Sequence, residues 1–269
     1  MHWSIFARPE ILAPFFFLVG LQLRAELTHI GQIALPSFAA LGGMALPALI
    51  FIVREPHHRG AWPIVAPTDL ALVMASIIIL GRRISPALRT FLLALAVADD
   101  LFSLLVMAAK YATAIRLSNL IATMGAVALG ALLPSFSWEI PLTFVVNYFL
   151  LPIYIVASFA PLFSAPHSVW SSHLAISIAA ARFIGKPIGI FCFMLIASRA
   201  PRIFGKRSIS LREALAGGAL AGMGLAVSLV ITSFTFASAE PASQAKAGLV
   251  LAVPLSFLMA VLFSKRAAH

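Results

Sequence analysis

Long apolar runs, each close to the length that crosses a bilayer, recur from Ile11 to Phe263 with only short polar connections between them. A spanning helix needs about 20 mostly apolar residues to cover roughly 30 Å of hydrocarbon. Backbone amides and carbonyls in lipid must be satisfied within the segment itself, so runs of this length fold as helices. Nine spans are read, at 11–28, 34–53, 62–80, 87–109, 118–134, 141–163, 174–198, 214–237 and 246–264. The expected fold class is an all-α integral membrane protein of about nine transmembrane helices, with residues 1–269 forming a single membrane domain. Composition agrees: the chain is 61% hydrophobic and 10% charged, against about 45–50% and 25% in a soluble domain.

The formal charge of +10 would suggest nucleic acid as the partner of a soluble chain. Here the cations cluster beside apolar runs, as positive charge retained on the cytoplasmic side does, so the partner is the lipid bilayer and not nucleic acid. With the N-terminus outside, eleven basic residues fall on the inside (Arg24, Arg82, Arg83, Arg89, Arg199, Arg202, Lys206, Arg207, Arg212, Lys265, Arg266) and six outside. That bias predicts an odd number of spans and a cytoplasmic C-terminus. The N-terminal stretch lacks a small-x-small cleavage pattern and is read as mature chain. Cys192 is the only cysteine, which excludes an intrachain disulfide and argues against a zinc site.

Two spans are poor continuous helices. The third contains Pro63, Pro67, Thr68 and Asp69; proline removes an amide donor and clashes with the preceding turn, so a break is expected near Pro67. The eighth contains Gly217, Gly218, Gly222 and Gly224. Each is the middle span of three, in halves at about 34–110 and 174–264 that start on opposite sides of the membrane. Paired interrupted spans in corresponding positions point to an inverted-repeat transporter with its site where the breaks cross, near the midplane. Close helix packing through small residues is the plainer explanation of the glycines alone.

Asp69, Asp99, Asp100 and Lys186 lie well inside these runs, and Arg182 stays within the seventh. An ionised residue at a helix centre costs about 2.5–3.5 kcal/mol on insertion scales, so such residues mark ion or proton pathways by default. Neighbours on a helix point about 100° apart, which gives Asp99 and Asp100 different partners and different roles. Sodium and lithium are hard cations that favour oxygen ligands. Those are available from the carboxylates, the Thr68 hydroxyl and carbonyls freed at the break. The plainer reading of an Asp–Lys pair is that it fixes helix packing. His57, His58, His167 and His173 are read as solvated residues near span ends. Glu26 and Glu139 lie at membrane boundaries, where proton sensing is the sharper reading and a surface carboxylate the default.

The stretches FFFLVGLQLRAEL, ALGGMALPALI, APTDLALV, FLLALAVADD, RFIGKPIGI and AGMGLAVSLVI resemble the NhaA-type sodium/proton antiporters of bacterial inner membranes. The resemblance implies NhaA-like inverted repeats and electrogenic exchange of Na+ or Li+ against more protons, serving pH and sodium homeostasis. It implies no cofactor beyond the transported ions. By the same resemblance Asp100 is the principal ion-binding carboxylate, with Asp99 or Thr68 completing the Na+ site. Asp99 pairs with Lys186, Thr68 and Asp69 stand at the crossing, and Pro67, Gly222 and Gly224 mark the breaks. The sequence departs from the family in lacking its first helix, its dimerisation hairpin and about two helices between Leu133 and Glu139. A homodimer stays open without that hairpin. Gln22 replaces an acid and Ala226 a polar residue. Two other readings stand beside antiport: an inactive, shortened homologue, and an intramembrane aspartyl protease. The protease would need two carboxylates facing one water and has no use for Lys186.

Overall fold

The computed structural model describes residues 13–27, 30–111, 117–133, 139–204 and 209–264, and every regular element among them is helical. In chain order these are α1 (Ala13–Leu27), α2 (Ile30–Arg54), the 3-10 helix α3 (Pro56–Val65), α4 (Leu70–Leu80), α5 (Pro86–Tyr111) and α6 (Leu117–Leu132). They are followed by α7 (Ile140–Ser164) and α8 (His167–Ala197). A single turn at Pro201–Phe204 leads to α9 (Leu211–Ala221), α10 (Ala226–Thr235) and α11 (Ala239–Phe263).

Among the described residues, five helices are long and apolar enough to cross a membrane, and the count reaches seven if each of two bent pairs makes one span. The bent pairs are α3 with α4, at 63°, and α9 with α10, at 51°. They are the third and eighth spans of the sequence reading. The remaining expected spans, 11–28 and 118–134, are α1 and α6, whose described lengths of 15 and 16 residues are short of a full crossing of about 20. These two helices pack together through Gly20 and Gly130, where a Cβ would collide with backbone of Val127 and Phe17 respectively.

Local chemistry explains the interruptions. Pro67 and Asp69 end α3 and start α4: the proline cannot continue the amide ladder, and the Asp69 side chain accepts from the Ala71 and Leu72 amides at 3.0 and 3.4 Å, as an N-cap does. Two π turns add to these interruptions. Val146–Leu150 precedes Pro152 in α7 and Ala181–Gly185 precedes Pro187 in α8. A proline ring displaces the carbonyl four residues back, here those of Tyr148 and Phe183, and the ladder widens locally into an i→i+5 turn. The second of these turns carries Arg182.

Ser210 and Glu213 form a capping box at the start of α9. Ser85, which accepts from the Leu88 amide at the start of α5, also donates to Glu213 at 2.5 Å. The starts of α5 and α9 are thereby tied together, and both helices lead toward the same buried polar cluster.

Candidate functional site

The two breaks meet, and side chains from other parts of the chain fasten them. Asp69 caps α4 with one carboxylate oxygen and accepts with the other from the Ala226 amide, the first residue of α10, at 3.2 Å. One carboxylate therefore faces two helix N-termini, each equivalent to about +0.5 of a charge. Arg182 is its counterpart. Its guanidinium donates to the carbonyls of Gly222 at 3.0 Å and Gly224 at 2.6 Å on one break, and to those of Ile64 at 3.0 Å and Pro67 at 2.7 Å on the other. It also donates to Ser228 Oγ at 2.8 Å. One cation thus serves two C-terminal ends, each equivalent to about −0.5 of a charge. Those carbonyls, expected from the sequence to be free oxygen ligands, accept from Arg182, whose planar fork of five donors matches them.

Close approach at this point requires glycine. A Cβ on Gly224 would lie 2.5 Å from the Pro67 carbonyl oxygen and 2.8 Å from Arg182 Nη2.

Next to the crossing, three side chains close a triangle. Lys186 Nζ donates to Asp99 Oδ2 at 2.7 Å and to Thr68 Oγ1 at 2.6 Å, and the Thr68 hydroxyl donates to the same Asp99 oxygen at 2.5 Å. Lys186 comes from α8, Asp99 from α5 and Thr68 from the first break. All three are almost fully buried. A buried ion pair needs such additional hydrogen bonds, because desolvating two charges costs more than loose contact recovers.

Asp100, also buried, does not join the triangle. It lies within electrostatic reach of Asp69, Asp99 and Lys186, yet its Oδ1 has no hydrogen-bond partner, and neither has Asp99 Oδ1. The two aspartates thus separate as the 100° step between helix neighbours requires. In this cluster three carboxylates face two cations. Asp69 and Arg182 each offset a pair of helix ends, Asp99 is offset by Lys186, and Asp100 has no such partner.

Thr68, Asp69, Asp99, Lys186, Pro67, Gly222 and Gly224 are thus brought to one place, with Asp100 at its edge. Glu26 and Glu139 belong to the helical stretches at Ala13–Leu27 and Glu139–Val145, but their side chains lie outside the described residues. Arg182 was noted in the sequence without a role; an arginine inside an apolar run was the signal that pointed to one. His173, read as solvated, has Nδ1 2.6 Å from Oε1 of the buried Glu55. No group of three or more metal-ligating His, Cys, Asp or Glu side chains occurs among the described residues.

The family model described as Na+/H+ antiporter 1 matches residues 2–140 and 134–263. The chain belongs to the Na+/H+ antiporter 1 family. As a member it is a multi-pass bacterial membrane protein of the NhaA-like helical class. The join between the two matched stretches of the Na+/H+ antiporter 1 model falls where the sequence reading places the missing pair of helices. Proteins named Na(+)/H(+) antiporter NhaA are similar over most of the chain. That of Cronobacter sakazakii is 29% identical over 307 residues, covering 92% of this chain and 79% of the relative. That of Serratia proteamaculans is 30% identical over 289 residues, covering 86% and 74%. That of Escherichia coli O1:K1 / APEC is 29% identical over 289 residues, with the same coverage.

Proposed function

We propose that this protein is a secondary transporter that exchanges protons for Na+ or Li+, with Asp100 as the exchanging carboxylate. The observation that carries the reading is the charge imbalance at the crossing: one buried carboxylate more than the cations present. An ionised Asp100 in that setting needs a monovalent cation beside it, and a protonated one needs none. The two states are mutually exclusive, so a site that opens alternately to the two sides carries Na+ or Li+ one way and protons the other. Asp99, held by Lys186 and Thr68, lends its second oxygen. Asp69 and Arg182 keep the crossing neutral in both states. An aspartyl protease is not favoured, because Asp99 is paired through one oxygen with Lys186 and Thr68 and the similar proteins are named antiporters.

The membrane organisation proposed with this function keeps the halves at about 34–110 and 174–264 as inverted repeats. Support comes from the bent pair in each half and from the way one anion and one cation serve both pairs. The positive-inside bias supports a cytoplasmic C-terminus in the inner membrane.

The test is transport by the purified protein in proteoliposomes holding an imposed pH gradient and a pH-sensitive dye. Addition of Na+ or Li+ should collapse the gradient. A gradient that neither ion disturbs would overturn the assignment.

A further inference from the structure

Ser103 stands one helical turn beyond the aspartate pair on α5. It is 1% exposed, and its hydroxyl has no hydrogen-bond partner. Three other hydroxyls inside helices bond back to the carbonyl four residues earlier, Ser76 to Leu72, Thr232 to Ser228 and Thr235 to Ile231, each at 2.7 Å, whereas the buried Ser256 of α11, away from the aspartate pair in the chain, shares with Ser103 the lack of a partner. That back-bond is the usual way for a helical serine or threonine to satisfy itself. Ser103 forgoes it, although a buried hydroxyl without a partner is costly.

Helix geometry shows where the hydroxyl is directed. At 100° per residue Ser103 points about 40° from Asp99 and about 60° from Asp100, between the two. Side chains on a helix lean toward its N-terminus, so Ser103 leans over the turn that carries both carboxylates. Three buried oxygens without partners, Asp99 Oδ1, Asp100 Oδ1 and Ser103 Oγ, therefore share one face of α5. Other oxygens at the crossing already accept hydrogen bonds: Asp99 Oδ2 and Thr68 Oγ1 from Lys186, and the Pro67 and Gly224 carbonyls from Arg182.

We infer that Ser103 Oγ is a third ligand for the transported cation, completing with Asp99 Oδ1 and Asp100 Oδ1 a site for a small hard ion. The inference rests on the antiport reading and adds a neutral ligand to its charged ones. A hydroxyl offers lone pairs to a cation but does not take up a proton in this pH range. Ser103 therefore strengthens sodium binding without entering the competition with protons, which belongs to Asp100 in the field of Asp69, Asp99, Arg182 and Lys186.

The experiment compares wild type with Ser103→Ala and Ser103→Thr in two measurements: the KM for Na+ and Li+ as a function of pH in proteoliposomes, and sodium-dependent thermal stabilisation of the purified protein. Ser103→Ala should raise the sodium KM by about tenfold, as loss of one ligand bond does, and shrink the stabilisation by sodium. The shape of the pH dependence and the melting temperature without sodium should stay at wild-type values. Ser103→Thr, which keeps the hydroxyl, should restore the KM to within about twofold. An active wild type with an unchanged KM in Ser103→Ala overturns the ligand assignment and leaves antiport standing. A KM that rises only together with a displaced pH profile or a lower melting temperature also overturns it, since that marks a structural role. Stabilisation by sodium that disappears in Ser103→Ala, in a wild type without exchange, supports the ligand and overturns antiport. A wild type showing neither exchange nor stabilisation by sodium overturns both.

Discussion

Asp100 and Arg182 are both buried charges, and they should respond oppositely to neutralisation. Asp100→Asn keeps the shape of the side chain and removes a carboxylate whose Oδ1 has no hydrogen-bond partner among the described residues. Exchange of Na+ or Li+ for protons should vanish, while the unfolding midpoint of the purified protein holds or rises; wild-type exchange in this variant would remove Asp100 from the mechanism. Arg182→Leu strands four carbonyls and a hydroxyl that now share one guanidinium. Breaking a buried charged network by deleting one partner costs about 3–5 kcal/mol, so this variant should unfold much more readily in detergent. Arg182→Lys should recover only part of the loss, because an ammonium has three donors on a single nitrogen and cannot span both breaks. A leucine variant as stable as wild type would show that the carbonyl ends need no cation.

The broken helices are the elements most legible in the sequence, and the reason is local. Pro67 next to Thr68-Asp69, and the glycines around Met223, are chemical signals written at the site of the break itself. The Asp99–Asp100 pair and Lys186 were legible for a similar reason, since an ionisable residue in an apolar run stands out wherever it falls. The role of Arg182 was not legible, because four of its five bonds go to backbone carbonyls from 40 to 118 residues away in the chain, which carry no side-chain signature. Ser103 was missed because a serine in a helix is ordinary until its missing back-bond is seen. The π turn under Arg182 was missed because Pro187 reads equally well as the start of a regular helix. One prediction belongs to this scale. Gly224→Ala would push a methyl group against Pro67 O and Arg182 Nη2, and overpacking of this kind costs about 1–3 kcal/mol. The unfolding midpoint should fall and the sodium KM should rise, whereas Gly125→Ala, with open space around it, should change neither. Equal behaviour of the two variants would mean that the crossing tolerates a wider gap.

For the whole molecule, antiport through one carboxylate cluster fixes the sign of the pH dependence. A proton on Asp100 removes the best ligand of a cation, so apparent sodium affinity in proteoliposomes should strengthen as pH rises until the site is ionised, and level off beyond that. An affinity independent of pH would defeat the shared site. The charge bias makes a second prediction at this scale: reporters fused after Ser4 and after His269 should report opposite sides of the membrane, and finding both on one side would defeat the odd number of spans. The double attachment of the breaks also has a mechanical consequence. Asp69 and Arg182 are each bonded to both bent pairs, so they act as rivets through overlapping plates. Neither pair can swing away alone without shearing bonds on the other. Whatever motion turns Asp100 from one side of the membrane to the other must carry the riveted breaks as one rigid piece, with its sliding surfaces outside the shell that Arg182 holds closed.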